Sequence, residues 1–144
     1  MSIPMRHLPL LAGVAGALVL TGCGRSEPRV PVVSVTGKIS FQGQVPAGAQ
    51  VVLHPVVKSE ESNVAPFATV KDDGTFAISA YDHGDGAPPG EYVATVEWFR
   101  LVATEGGGGR GPNVLPAAYA SPATSPIRVT VKSEATELPP IEIR

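Results

Sequence analysis

Few residues of this chain have types and spacing that could do chemistry. Asp82, His83 and Asp85 sit within four positions of one another, and Asp72 and Asp73 form a second acidic pair. Such groups could hold a cation, but hard cations want six or more oxygens from a shaped loop. Neither segment has that spacing, so these read as solvated turn residues and no metal is expected. His54 and His83, with the chain's many serines, could supply a hydrolytic set. No Gly-x-Ser-x-Gly elbow is present, so neither enzyme activity nor a cofactor is expected. Gly106-Gly107-Gly108-Gly109 lacks the Lys-Ser/Thr ending and following helix of a phosphate loop and reads as a flexible loop tip. Trp98, Phe99 and Tyr119 flank that tip and could stack on a sugar or peptide, although Trp98 follows the inward alternation of its strand and suits a core.

One thiol remains, Cys23, the only cysteine in 144 residues. It cannot form an intramolecular disulfide. Arg6 precedes an apolar run, Leu8 to Leu20, too short for a stable bilayer span. The run ends in Leu20-Thr21-Gly22-Cys23, which resembles the lipobox of bacterial lipoproteins. There the cysteine sulfur receives a diacylglyceryl group and a peptidase cuts just before it. Small side chains at Thr21 and Gly22 suit an extended backbone entering a narrow peptidase site. Residues 1–22 are therefore expected to be a signal peptide, with Cys23 lipidated and the bilayer as its partner. Acyl chains contribute about 0.8 kcal/mol per buried CH₂, so a multiply acylated cysteine anchors a small domain durably. Gly24 stands where the enterobacterial sorting rule places an inner-membrane retention aspartate, which favours an extracytoplasmic address on the outer membrane.

Gly24 to Pro31 is polar and punctuated by proline. At about 3 Å per extended residue these eight residues hold the domain roughly 20 Å above the lipid, and with Cys23 they make the tether 23–31. Removing Arg6 with the leader leaves ten basic against thirteen acidic side chains. The basic residues are scattered rather than gathered on one face, which argues against a nucleic-acid partner.

The elements that must position these residues read as strands. Twelve of the chain's sixteen glycines and eleven of its fifteen prolines fall in residues 32–144 and break them into short runs. Val33, Val35, Ile39 and Phe41 alternate with polar residues; Gly37 falls on the apolar face, where a missing side chain implies a bulge or a close neighbouring backbone. Ala49, Val51 and Leu53 make a second strand. Phe67 to Lys71 and Thr75 to Tyr81 flank Asp72-Asp73-Gly74 as a hairpin. A three-residue loop with Gly74 in the left-handed region sets Val70 opposite Phe76, whereas a two-residue turn would split the apolar set between faces. Tyr92, Ala94, Val96 and Trp98 share a face of a long strand, and Tyr92 after Pro88-Pro89-Gly90 suggests a tyrosine corner. Val102 to Pro126 reads as a long irregular segment, the place where a partner is expected to bind, with Tyr119 able to dock its second half. Ile127 to Val131 and Leu138 to Ile143 close the count, Pro139 and Pro140 confining the last strand to an edge or a late start. Seven strands and no helix predict an all-β fold, a seven-stranded antiparallel Greek-key sandwich; a closed barrel is the alternative.

Val35-x-Gly37, Ala49-x-Val51-x-Leu53-x-Pro55, Asp73-Gly74-Thr75-Phe76, Gly86-Ala87-Pro88-Pro89-Gly90-Glu91-Tyr92, Leu115-Pro116-x-x-Tyr119 and Ser125-x-Ile127-x-Val129-x-Val131 resemble, in that order, the small planctomycete-type lipoproteins with a carboxypeptidase-regulatory-like or transthyretin-like domain. The resemblance covers residues 32–144 and implies a prealbumin-type sandwich without an established activity. Transthyretin-like hydroxyisourate hydrolases end in Tyr-Arg-Gly-Ser, whereas this chain ends Ile141-Glu142-Ile143-Arg144. The expectation is thus a membrane-anchored envelope lipoprotein with a non-catalytic structural or protein-interaction module. The alternative is a glycan- or peptide-binding module using the 102–126 loop.

Overall fold

The computed structural model describes residues 28–59 and 64–144. The leader, the Leu20-Thr21-Gly22-Cys23 motif and the first part of the tether lie outside the described residues. Ten strands follow in order: β1 Val35–Phe41, β2 Gln50–Pro55, β3 Phe67–Thr69, β4 Thr75–Ala77, β5 Gly90–Glu97, β6 Phe99–Thr104, β7 Gly107–Asn113, β8 Arg128–Val131, β9 Thr136–Glu137 and β10 Ile141–Ile143. A single 3₁₀ turn, Ala117–Ala120, lies between β7 and β8.

The chain is an all-β sandwich of two sheets. In one, β1 is central, with β4 on one side and β9 and β10 on the other; the second runs β3-β2-β5-β8. Alternation fixes which side chains face inward. Val35, Ile39, Phe76 and Ile143 from the first sheet meet Val51, Leu53, Val96 and Val131 from the second, all buried. Cross-strand register keeps like with like: Val51 faces Val96, Leu53 faces Ala94, and Tyr92 faces Val129. Gly37 pairs directly with Phe76, and a Cβ there would run into the Phe76 ring. The missing side chain makes room for an aromatic ring, and not for the bulge or close backbone expected from the sequence.

The hairpin register holds at its ends. Phe67 pairs with Ser79, the Lys71 N–H donates to the Thr75 carbonyl at 2.9 Å, and Gly74 has φ +85°. Between those points the arms part, β3 joining β2 and β4 joining β1. The hairpin thus arches from one sheet to the other.

Three features depart from the seven-strand expectation. The last strand runs parallel to β1, Val35 facing Thr136 and Ile39 facing Ile141. β8 ends at Val131 beside Gly90, and the few residues up to Thr136 reverse the chain onto the facing sheet. It must then travel in the direction of β1. That strand is also split, because Pro139 and Pro140 donate no N–H, and its register slips by one residue across them. The third departure is larger. Phe99 to Asn113, read from sequence as the end of one strand and an irregular loop, forms a two-stranded ribbon of β6 and β7 with a turn at Glu105 and Gly106. Gly107 to Gly109 belong to a strand, not a loop tip.

Both glycine constraints are testable by urea unfolding. Gly37→Ala should destabilise by about 1–3 kcal/mol through overpacking against Phe76. Gly74→Val should lose about 1–3 kcal/mol, since a β-branched residue is strained at that φ and its Cβ would sit 3.1 Å from the Ile39 carbonyl.

Candidate functional site

The two ends of the sandwich carry different chemistry. At the end where β1 and β5 begin, Val33 pairs with Ala87, and the loop between β4 and β5 is organised by one carboxylate. Asp85 accepts N–H bonds from Ala80 at 2.7 Å, Asp82 at 3.0 Å and Tyr81 at 3.1 Å. Burial pulls the Asp85 carboxyl upward, but the N–H groups of Ala80, Asp82 and Tyr81 together outweigh it and hold it below the ordinary carboxylate range. Asp82 instead forms an ion pair with Arg29 at 2.8 Å. Arg29 also lies over the Tyr81 ring, 5.2 Å from its centroid, and the Val30 N–H donates to the Tyr81 hydroxyl at 3.0 Å. Asp85 therefore organises the loop, and Asp82 with Tyr81 holds Arg29 and Val30 against it. At the same end the Tyr92 hydroxyl donates to the Pro88 carbonyl at 2.7 Å, the corner suggested by the sequence. Burial pushes that phenol's pKa up.

At the opposite end, where β1 and β5 finish, Trp98 sits at the root of the ribbon. Its indole N–H donates to the Ala47 carbonyl at 2.9 Å, and its ring meets Phe41 edge-on at 6.4 Å between centroids. The Asn113 side chain closes the root, accepting from the Trp98 N–H at 2.9 Å and the Leu115 N–H at 3.2 Å. Trp98 is half-buried, in keeping with the packing role its alternation predicts. Beyond it, alternate residues face opposite sides of the ribbon. Arg100 lies over Trp98 on one side, 5.3 Å from the ring centroid; Arg110 lies over Phe99 on the other at 3.4 Å. Leu101, opposite Arg110, is 86% exposed.

The three aromatics singled out from sequence do not form one platform. Trp98 and Phe99 share the ribbon root but face opposite ways. Tyr119, from the 3₁₀ turn, lines a groove of about 610 Å³ between β8 and the β9–β10 edge, with Arg128, Lys132 and Glu137 among its walls. Tyr119 packs on the core as the docked half of the crossover, supported by the Ser125 hydroxyl, which donates to the Ala94 carbonyl. Sequence reasoning missed Arg100, Leu101 and Arg110. The alternation Phe99-x-Leu101 beside Trp98-x-Arg100 signals a continuing strand, but its partner is mostly glycine and shows no period. Of the histidines, His54 Nε2 lies 2.9 Å from the buried Thr95 hydroxyl, and burial lowers its pKa. Among the described residues no carboxylate bonds to either histidine.

No family model matches the chain, and no curated protein matches its sequence. Two solved structures are similar. One is a DUF3823 family protein from Parabacteroides merdae, with 21% identity and a TM-score of 0.43 over 80% of this chain and 47% of that one. This chain thus spans about half of its length. The other is a candidate carbohydrate-binding protein from Pseudomonas aeruginosa, with 14% identity and a TM-score of 0.43 over 78% of this chain and 89% of that one. The class defined by the architecture is an all-β sandwich bearing a projecting ribbon.

Asp85→Ala should lower stability by about 1–3 kcal/mol by leaving the loop N–H groups without their acceptor. Because the folded pKa of Asp85 is depressed, its contribution is complete above about pH 4 and is lost as pH falls through the folded value. A pH series of thermal melts should show this acid-side loss in the parent and not in the variant. Limited trypsinolysis should cut first at Arg100 or Arg110, since the ribbon opens most cheaply, leaving the fragments associated. Earlier cleavage at Lys38 or Arg128, within the sheets, would contradict that ordering.

Proposed function

We propose that this chain is a lipid-anchored, non-catalytic module of the bacterial envelope. In this reading residues 1–22 are the leader, Cys23 is lipidated, 23–31 form the tether and 32–144 form the sandwich. The motif Leu20-Thr21-Gly22-Cys23 supports the anchor, Gly24 supports the outer-membrane address, and the ordered motifs from Val35-x-Gly37 to Val129-x-Val131 support a transthyretin-like or carboxypeptidase-regulatory-like assignment for the domain.

The observation that carries the interaction role is the placement of tether and ribbon at opposite ends. Arg29 is held by Asp82 and Tyr81 where β1 and β5 begin; β6 departs where β5 finishes. The eight residues of β5 span roughly 26 Å at about 3.3 Å per residue, so an anchored domain holds its ribbon on the far side from the lipid. The ribbon is the protein-interaction element. The glycan-stacking alternative using Trp98, Phe99 and Tyr119 is less favoured, because arginines lie over the first two rings and Tyr119 stands in a separate groove.

Expressed in a bacterial host, the full chain should partition into detergent, while Cys23→Ala should become soluble or remain uncleaved. A processed Cys23→Ala protein that still partitions into detergent would remove the anchor from this reading.

A further inference from the structure

We propose that the free edge of the β6–β7 ribbon docks an extended acidic peptide segment of a partner protein as a third strand. The inference rests on the reading of the ribbon as the interaction element and adds the chemistry of what it binds.

The backbone supplies the first argument. Among the described residues β6 and β7 pair only with each other, so each strand keeps one edge of N–H and C=O groups without a strand partner. A two-stranded ribbon alone is marginal in water, and a third strand is the usual remedy. Exposed edges are normally blunted by lysine, proline, bulges or short length. Here the bulge falls between Phe99 and Leu101 and the proline is Pro112, both at the root. The outer stretch, Leu101 to Thr104 against Gly107 to Gly109, has no lysine, proline or bulge. Gly107, Gly108 and Gly109 also present bare backbone, so an incoming strand can reach the spacing of about 4.8 Å needed for a ladder.

Charge supplies the second argument. Arg100 and Arg110 have no carboxylate partner among the described residues, whereas Arg29 and Arg144 do. Each guanidinium lies over an aromatic ring, on opposite faces of the ribbon. A strand added along this edge places alternate side chains on the two faces, so acidic residues of both parities reach a preplaced guanidinium. Leu101 and Val102, 86% and 40% exposed, favour apolar residues beside those acids. The only carboxylate in the ribbon is Glu105, at its tip. A second copy is disfavoured as occupant, because two ribbons edge to edge would gather four guanidinium groups. Strand addition with side-chain selection is an established mode of peptide recognition.

The test uses the full chain in detergent micelles and fluorescent peptides in which pairs of valines alternate with pairs of glutamates or aspartates, so that acids fall on both faces of an added strand. Anisotropy should show saturable binding of the acidic peptide, with amides of residues 101–110 gaining protection from hydrogen exchange, and no binding of a lysine analogue. The Arg100→Glu, Arg110→Glu double variant should lose at least roughly tenfold in affinity and should take the lysine peptide instead, which shows that its ribbon is still folded. A peptide N-methylated at alternate amides should fail to bind. Equal binding of acidic and lysine peptides, undiminished binding of the N-methylated peptide, or equally tight binding of polygalacturonate would each overturn the inference. Replacing Arg100 to Pro112 by a short turn separates the two levels of the claim. If that deletion abolishes crosslinking to envelope proteins while the charge reversal leaves it intact, the ribbon is the interaction element but its partner is not acidic. If the deletion changes nothing, the reading of the ribbon itself fails.

Discussion

The packing of Phe76 over Gly37 is the contact on which the sandwich depends. Among the described residues β1 is the only strand of its sheet with neighbours on both sides, β4 on one edge and β9 and β10 on the other. At its middle inward position it carries no side chain. Phe76, on the directly paired residue of β4, fills that space and is among the most deeply buried side chains of the described residues. One large residue and one absent one across a single pair fix the register of β1 with β4. Because a one-residue slip would turn every inward side chain outward, the same contact determines that Val35 and Ile39 meet the facing sheet. The interior then follows from volume as much as from apolarity, since a filled notch leaves no room to relax.

Stability is graded from that centre toward the ends. The loop that receives the tether has few apolar residues, but the Asp85 carboxylate satisfies three of its N–H groups and Arg29 joins two of its side chains. The root of the ribbon is held by Trp98, with one hydrogen bond to Ala47 and one edge-on contact to Phe41. Past the root, among the described residues, the strands of the ribbon pair only with each other. Opening the ribbon therefore sacrifices its own ladder and two arginine–aromatic contacts, while the core is untouched. This is the arrangement in which a local opening free energy lies far below the global one.

How much of this was legible in the sequence depended on side-chain contrast. Where apolar and polar residues alternate, as in Val35 to Phe41 or Tyr92 to Val96, strand and face could be read directly. The hairpin register was legible because only one loop length keeps Val70 and Phe76 on the same face. That its arms belong to different sheets was not legible, since an arch and a flat hairpin share the same local pairing. The parallel edge was hidden for a related reason: pairing direction depends on where β8 ends in space. β7 was invisible because backbone ladders need no side chains, and Gly107-Gly108-Gly109 carries no periodic signal. The dispersal of Trp98, Phe99 and Tyr119 follows from that omission. Treated as one loop, the 102–126 segment brings them together; folded as ribbon and crossover, it separates them.

A ribbon outside the core has a particular relation to its own arginines. On a strand packed into the sandwich, a charged side chain must be solvated on one face and cannot be placed on both. On β6 and β7 both faces are wet, so Arg100 and Arg110 can occupy opposite sides without desolvation. Long side chains of this kind normally lose rotamer entropy when a ligand fixes them. Stacking on Trp98 and Phe99 restricts them beforehand, since a guanidinium gains from an aromatic face while keeping its in-plane donors free. Trp98 thus has two roles that the rest of the domain keeps separate. One edge of the indole secures the ribbon to Ala47, and its face orients the first cation beyond the root. A substitution there would loosen the strand and the charge together, which couples the ribbon's order to its ability to select a partner.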